Sequence, residues 1–162
     1  MNPIKEFIYR LRGDYTTEKL ISMGMKVGTN FKRLHGVILD PGHCWLIEIG
    51  DNVTMAPNVH VLCHDASTKH FLNYTKIGRV TIGNNVFIGA NSTVTHNIPD
   101  NTVVAGTPAK TICSLQEYLS KEQNRITTAP CYGEEYTLRK NVSMEMRMEQ
   151  KSALEGKIGY ID

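Results

Sequence analysis

The chain has no apolar run approaching the roughly 20 residues needed to span a bilayer, which argues against an integral membrane protein. It has no Lys/Arg run either, and its formal net charge is only +2 over 162 residues. Without a basic patch, a dedicated nucleic-acid binder is not expected. Its four cysteines, Cys44, Cys63, Cys113 and Cys131, lack CxxC spacing. They read as reduced thiols rather than a disulfide frame or a zinc site. The segment Met1-Asn2-Pro3-Ile4-Lys5 leads into alternating charge instead of a signal-peptide apolar core. A soluble, cytoplasmic protein with one domain's worth of chain is expected.

What the chain does have is a six-residue period. In the run from Ile82 to Val94, aliphatic residues recur at Ile82, Ile88 and Val94, with Gly83 and Gly89 behind the first two. An α-helix repeats every 3.6 residues and a lone strand every 2, so neither sets this period. A hexapeptide is one short strand plus one corner, and three of them make one coil of a triangular β-solenoid. The same phase runs through Ile49-Gly50-Asp51-Asn52-Val53, Met55-Ala56-Pro57-Asn58-Val59 and Val61. Walking back in sixes passes over His43, which breaks the pattern, to Val37 and Phe31, which fit it. From Val61 to Ile82 the step is one coil of 18 plus three, so a loop over about 64–76 leaves the solenoid. Asn and Gly suit the corners, where positive φ is needed.

Around this solenoid the sequence predicts short helices. Asn2 to Arg12 carries Ile4, Phe7, Ile8 and Leu11 at helical spacing. A second helix is expected over Thr17–Met23, ending at Gly24. The repeat then occupies 25–112, in about four coils. Ser114-Leu115-Gln116-Glu117 has capping-box spacing and opens a helix to about Gln123. Residues 124–142 read as irregular, and Ser143 caps a Met-rich helix ending near Gly156. The expected organisation is an N-terminal helical cap (1–24), the repeat (25–112) and a C-terminal helical extension (113–162). Exposed ends and flat sides of such a stack favour capping and self-association.

The block from Ile49 to Ile112 resembles the hexapeptide-repeat acyltransferases, a left-handed parallel β-helix family that includes maltose, galactoside and polysaccharide O-acetyltransferases. The hexads carry the resemblance, together with Cys63-His64-Asp65 and the closing string Ile98-Pro99-Asp100-Asn101-Thr102-Val103-Val104-Ala105-Gly106-Thr107-Pro108-Ala109-Lys110. It implies acetyl-CoA as donor, no metal, and a homotrimer with active sites between subunits. It also implies a saccharide or similar hydroxyl acceptor and a role in polysaccharide biosynthesis. Relatives usually carry another full coil where Val94 here runs directly into Thr95-His96-Asn97-Ile98-Pro99, which implies a shortened cofactor groove. His96 stands where relatives often have Lys.

Acyl transfer from a thioester to a hydroxyl needs a base for the hydroxyl proton, and imidazole titrates in the right range. His64, at the root of the loop, matches the family's base. Asp65 adjoins it, but neighbouring side chains of extended chain point apart. A pantetheine arm needs a narrow groove lined by small residues, which Gly89, Ala90, Ala105 and Gly106 supply. Lys110 suits a CoA phosphate, with Thr95 and Thr107 as lesser contacts. Among His35, His43, His60, His70 and His96, His43 holds an in-phase slot one coil before Val61 and would lie near His64 if the chain turned its ring toward the groove. Loop residues from Asp65 to Tyr74, with Ser67, Thr68, Lys69 and Asn73, are expected to shape the acceptor pocket; Tyr74 and Trp45 have rings that could stack on a sugar, but such residues more often serve packing. Two alternatives stay open: a zinc enzyme of carbonic-anhydrase type using His60, His64 and His70, and a catalytically impaired binding homologue.

Overall fold

Short strands succeed one another in a fixed rotation among three parallel sheets. The computed structural model describes Ile4 and residues 15–162. The helix expected over residues 2–12 lies outside these, Ile4 apart. The chain divides into two units, Met1–Leu115 and Gln116–Asp162. In the first, α1 (Thr17–Ser22) is capped by the Thr16 hydroxyl, which accepts from the Lys19 amide. One turn follows through β1 (Lys26–Val27), β2 (Lys32–Arg33) and β3 (Ile38–Leu39). The next runs through β4 (Ile47–Ile49), β5 (Thr54–Met55) and β6 (His60–Val61).

The chain then leaves the rotation. β7 (His64–Asp65) pairs antiparallel with β8 (Lys76–Ile77), and α2 (Lys69–Leu72) lies between them. It re-enters with β9 (Val80–Ile82), β10 (Phe87–Ile88) and β11 (Thr93–Val94). Finally β12 (Thr102–Ala105) folds back antiparallel on β13 (Lys110–Ser114). Corresponding strands of successive turns are hydrogen-bonded in parallel: β1-β4-β9, β2-β5-β10-β12 and β3-β6-β11. Ile98 bridges Ile82 on the first sheet.

The register corrects the sequence phase. Ile49 pairs with Val27, Met55 with Arg33 and Val61 with Leu39, so Phe31 and Val37 are not the in-phase residues of the first turn. The first two turns are 22 residues apart because the 3₁₀ turn Cys44–Leu46 is inserted after β3. The next step is 33, set by the β7–β8 hairpin, and the last is 16. A strict 18-residue walk fails wherever a corner has gained or lost residues. Hydrogen-bonded strands bound the protruding loop, so its edges are more ordered than the missing repeat suggested.

Inward positions stack by this register. Met55, Ile88 and Val104 form one row and Leu39, Val61 and Val94 another, all fully buried. Each row buries aliphatic surface at about 25 cal/mol per Å². Outside, Asn30, Asn52, Asn85 and Asn101 share one corner at φ between 54° and 55°. Their amides form a ladder with steps of 3.0, 3.0 and 2.9 Å. Asn takes the left-handed conformation at low cost and supplies a donor and an acceptor to neighbouring turns. Gly50 is required for space, since a Cβ there would lie 2.8 Å from the Gly83 carbonyl. At the first turn Arg33 takes the row position below Met55, and its guanidinium donates to the carbonyls of Val37 and Tyr15. Leu20 of α1 is fully buried in the same core.

In the second unit, α3 (Leu115–Ile126) starts the segment, and α4 (Met144–Ala153) is capped by the Ser143 hydroxyl. The stretch 124–142, expected to be irregular, contains β14 (Cys131–Tyr132), which pairs in parallel with β15 (Tyr160–Ile161). Tyr160 donates to Glu122 at 2.6 Å. Among the described residues no helix is long and apolar enough to cross a membrane.

Candidate active site

Three segments leave the third sheet at one corner, stacked a turn apart: Asp40–Leu46 after β3, Leu62–Asp65 after β6, and Thr95–Asn97 after β11. The amides of Asp40 and Leu62 hold the stack by donating to Val61 and Val94. Asp-Pro-Gly then turns the first segment sharply. The His43 amide bonds the Asp40 carbonyl, which sets the ring of His43 back over the corner.

The result is a carboxylate under an imidazole. Asp40 Oδ2 lies 2.7 Å from His64 Nδ1 and also accepts the Cys63 amide at 2.7 Å. The Asp40 side chain has no exposure, whereas that of His64 is 39% exposed. A carboxylate only accepts, so the contact places a proton on Nδ1 and leaves the Nε2 lone pair free. The rings of His43 and His64 lie 5.1 Å apart, and Trp45 lies 5.4 Å from His43. His43 Nδ1 stands 4.0 Å from Asp40 Oδ1, beyond hydrogen-bonding distance, and among the described residues neither atom has a hydrogen-bond partner.

His64 borders a pocket of about 630 Å³ lined by Leu62, Cys63, Asp65, Ala66, Lys76, Ile77, Gly78, Arg79 and Thr95. Its two cations are paired, Lys76 with Asp65 at 2.5 Å and Arg79 with Glu48 at 2.7 Å. The Lys76 ammonium, and after it the Ser67 amide, hold the Asp65 carboxyl well below the usual carboxylate range. Burial, reinforced by the Asp40 charge, pushes the Cys63 thiol up to about 11. That thiol is a packing group, not a nucleophile.

Of the residues expected at the site, Thr95 joins His64 in this pocket. Gly89, Ala90, Ala105, Gly106, Thr107 and Lys110 gather at the preceding corner, after β10 and β12. There the Gly106 amide donates to Ser92 Oγ, Thr107 Oγ1 donates to the Asn91 carbonyl, and Lys110 pairs across the hairpin with Ala105. Gly106 and Thr107 reach onto β11, where the Thr93 amide donates to the Gly106 carbonyl and the Thr93 and Thr107 hydroxyls lie 3.3 Å apart, but none of the six lines the His64 pocket. Asp65 points to Lys76 and not to His64. Ser67, Thr68, Lys69, Asn73 and Tyr74 are not among the pocket-lining residues; Thr68 and Lys69 bond the carbonyls of Tyr74 and Asn73 instead.

His43 comes near His64, but through the inserted turn, because Leu39 holds the in-phase slot. His60 and His70 do not join His64: His60 sits on β6 between Ile38 and Thr93, and His70 packs edge-on against Phe71. Asp40 was missed altogether. The Asp-Pro-Gly string reads as a turn, and only the 22-residue register shows that Asp40 follows an inward row and is buried.

No family model matches the chain. Protein CapG of Staphylococcus aureus is 30% identical over 140 residues, covering 72% of this chain and 81% of CapG. The chain belongs to the hexapeptide-repeat acyltransferase family. Galactoside O-acetyltransferase of Escherichia coli K12 is 35% identical over 94 residues, covering 45% of this chain and 46% of that enzyme. This family member thus spans less than half of the galactoside enzyme's length. A hexapeptide-repeat acetyltransferase of Vibrio cholerae, solved in complex with acetyl coenzyme A, is 25% identical with a TM-score of 0.43 over 57% of this chain and 61% of that one.

Proposed function

We propose that this chain moves an acetyl group from acetyl-CoA to a hydroxyl of a saccharide or similar small acceptor, with His64 as general base. The Asp40–His64 pair at the mouth of the pocket carries this reading. His64 Nε2 takes the hydroxyl proton as the oxygen attacks the thioester carbonyl, and it returns that proton to the thiolate as the C–S bond breaks. Asp40 holds the ring in the Nδ1–H form and balances the charge of the imidazolium. The similarity to galactoside O-acetyltransferase supports the acetyl group and the sugar-like acceptor.

In this reading the three parallel sheets are the faces of a left-handed coil. Gly89, Ala90, Ala105, Gly106, Thr107 and Lys110 form the donor side, and Thr95 borders both substrates. Within one chain these six residues do not line the His64 pocket. A homotrimer brings the donor corner of one protomer against the His64 corner of the next. The 16-residue last step runs Val94 directly into Thr95-His96-Asn97-Ile98-Pro99, so in this reading the donor groove is shorter by the full coil that relatives usually carry there. The protein works in the cytoplasm, where its donor is made.

The test is a thermal melt with and without acetyl-CoA, paired with free-thiol detection over a panel of sugars. A ligand that binds only the native state raises Tm. A rise in Tm together with acceptor-dependent thiol release is expected. A melt unmoved by millimolar donor overturns the proposal and favours a non-catalytic homologue.

A further inference from the structure

Asp40 and His43 each present an unpartnered polar atom to the same point, and the acyl-transfer chemistry uses neither. Asp40 Oδ1 belongs to a side chain with no exposure, and among the described residues neither it nor His43 Nδ1 has a hydrogen-bond partner. A buried oxygen of that kind is costly unless something binds it. The two atoms are 4.0 Å apart. In a tetrahedral site with bonds of about 2.0–2.2 Å two ligand atoms stand about 3.3–3.6 Å apart, so a slight rotation of the His43 ring closes the gap. A ring nitrogen of His64 completes a set whose ligand atoms all lie within 4.8 Å of one another.

We propose that Asp40, His43 and His64 form an inhibitory site for a divalent first-row transition cation of the zinc type. Two imidazoles and one carboxylate are borderline donors suited to such ions, and three protein ligands leave a fourth position open. The set differs from His60, His64 and His70, which the structure does not gather. It lies within one chain and takes the catalytic base as a ligand. An ion on His64 Nδ1 forces the remaining ring proton onto Nε2; an ion on Nε2 occupies the lone pair directly. Either way the base is withdrawn while the ion stays bound. The inhibitory consequence rests on His64 acting as proposed above, whereas binding does not.

The test uses the full chain stripped with a chelator. Zinc binding is measured by equilibrium dialysis, and cobalt binding by the visible absorption of the coordinated ion. One ion per chain is expected, with affinity falling at least about tenfold in His43→Phe, which keeps a ring against Trp45 but has no ligand atom, and in Asp40→Asn. His60→Gln is expected to bind as wild type does. Thiol release, referred to each protein's own metal-free rate, should fall with zinc and recover with chelator in wild type, and respond far less in His43→Phe. Absence of one-to-one binding, or binding unchanged in both His43→Phe and Asp40→Asn, overturns the site. Stoichiometric binding abolished by those variants, in a protein whose metal-free form shows no thiol release, upholds the metal site and overturns the acyltransferase reading instead.

Discussion

Replacing Asp40 with Asn tests the catalytic pair with little disturbance of the fold. The amide oxygen can take the place of Oδ2 and still accept from Cys63 N–H and His64 Nδ1–H, both now at 2.7 Å. What disappears is the charge facing an imidazolium. A hydrogen bond to a charged group contributes about 1.5–3 kcal/mol and a neutral one about 0.5–1.5. The difference of about 1–2 kcal/mol sets a floor of about tenfold in rate. Two unit charges about 4 Å apart at an effective dielectric near 20 interact by about 4 kcal/mol, which sets a ceiling near 10³-fold. The kcat of metal-free Asp40→Asn, followed by thiol release, should therefore fall between about tenfold and 10³-fold. The donor-induced rise in Tm should persist, because Asp40 does not border the donor corner. A kcat within twofold of wild type would refute the claim that the Asp40 charge supports His64.

Three further outcomes follow from the same structure. Ile88→Ala removes a fully buried side chain between Met55 and Val104, and should cost about 2–5 kcal/mol in denaturant unfolding; a loss under about 1 kcal/mol would mean the row is not packed as described. Cys63, with its thiol pushed up to about 11, should resist iodoacetamide near pH 8 while the exposed Cys131 is alkylated, as read by peptide mass mapping; equal labelling in the native protein would contradict the buried position. The Asp65 carboxyl is depressed by Lys76, so its contribution to stability is present above the unfolded value near pH 4 and is lost as pH falls below it. Lys76→Gln should accordingly lower Tm at neutral pH and converge on wild type in acid, whereas a gap that widens on acidification would contradict the pairing.

The hexads from Ile82 to Val94 made the parallel stacking of short strands legible, because the Ile-Gly pairs report an inward side chain followed by a close backbone approach. The corners were not legible in the same way. Their insertions carry no period, so an 18-residue walk assigned Phe31 and Val37 to rows that Val27 and Arg33 occupy. His64 stood out as the residue at which the repeat stops. Asp40 did not, since a buried acid and a turn-forming acid look alike ahead of Pro-Gly. Lys69 and Tyr74 looked like acceptor contacts because they are polar or aromatic in a loop, but loops also satisfy their own carbonyls, and Lys69 does that. The glycine-rich donor string was visible as a motif, while its place along β11 and outside the His64 pocket required the register.

The account rests most directly on one number: the kcat of His64→Gln in the thiol-release assay, beside the Tm shift produced by acetyl-CoA. Removing a general base typically costs about 10²–10⁴-fold. A loss of that size with an unchanged donor-induced shift is the predicted result. Turnover within threefold of wild type would contradict it.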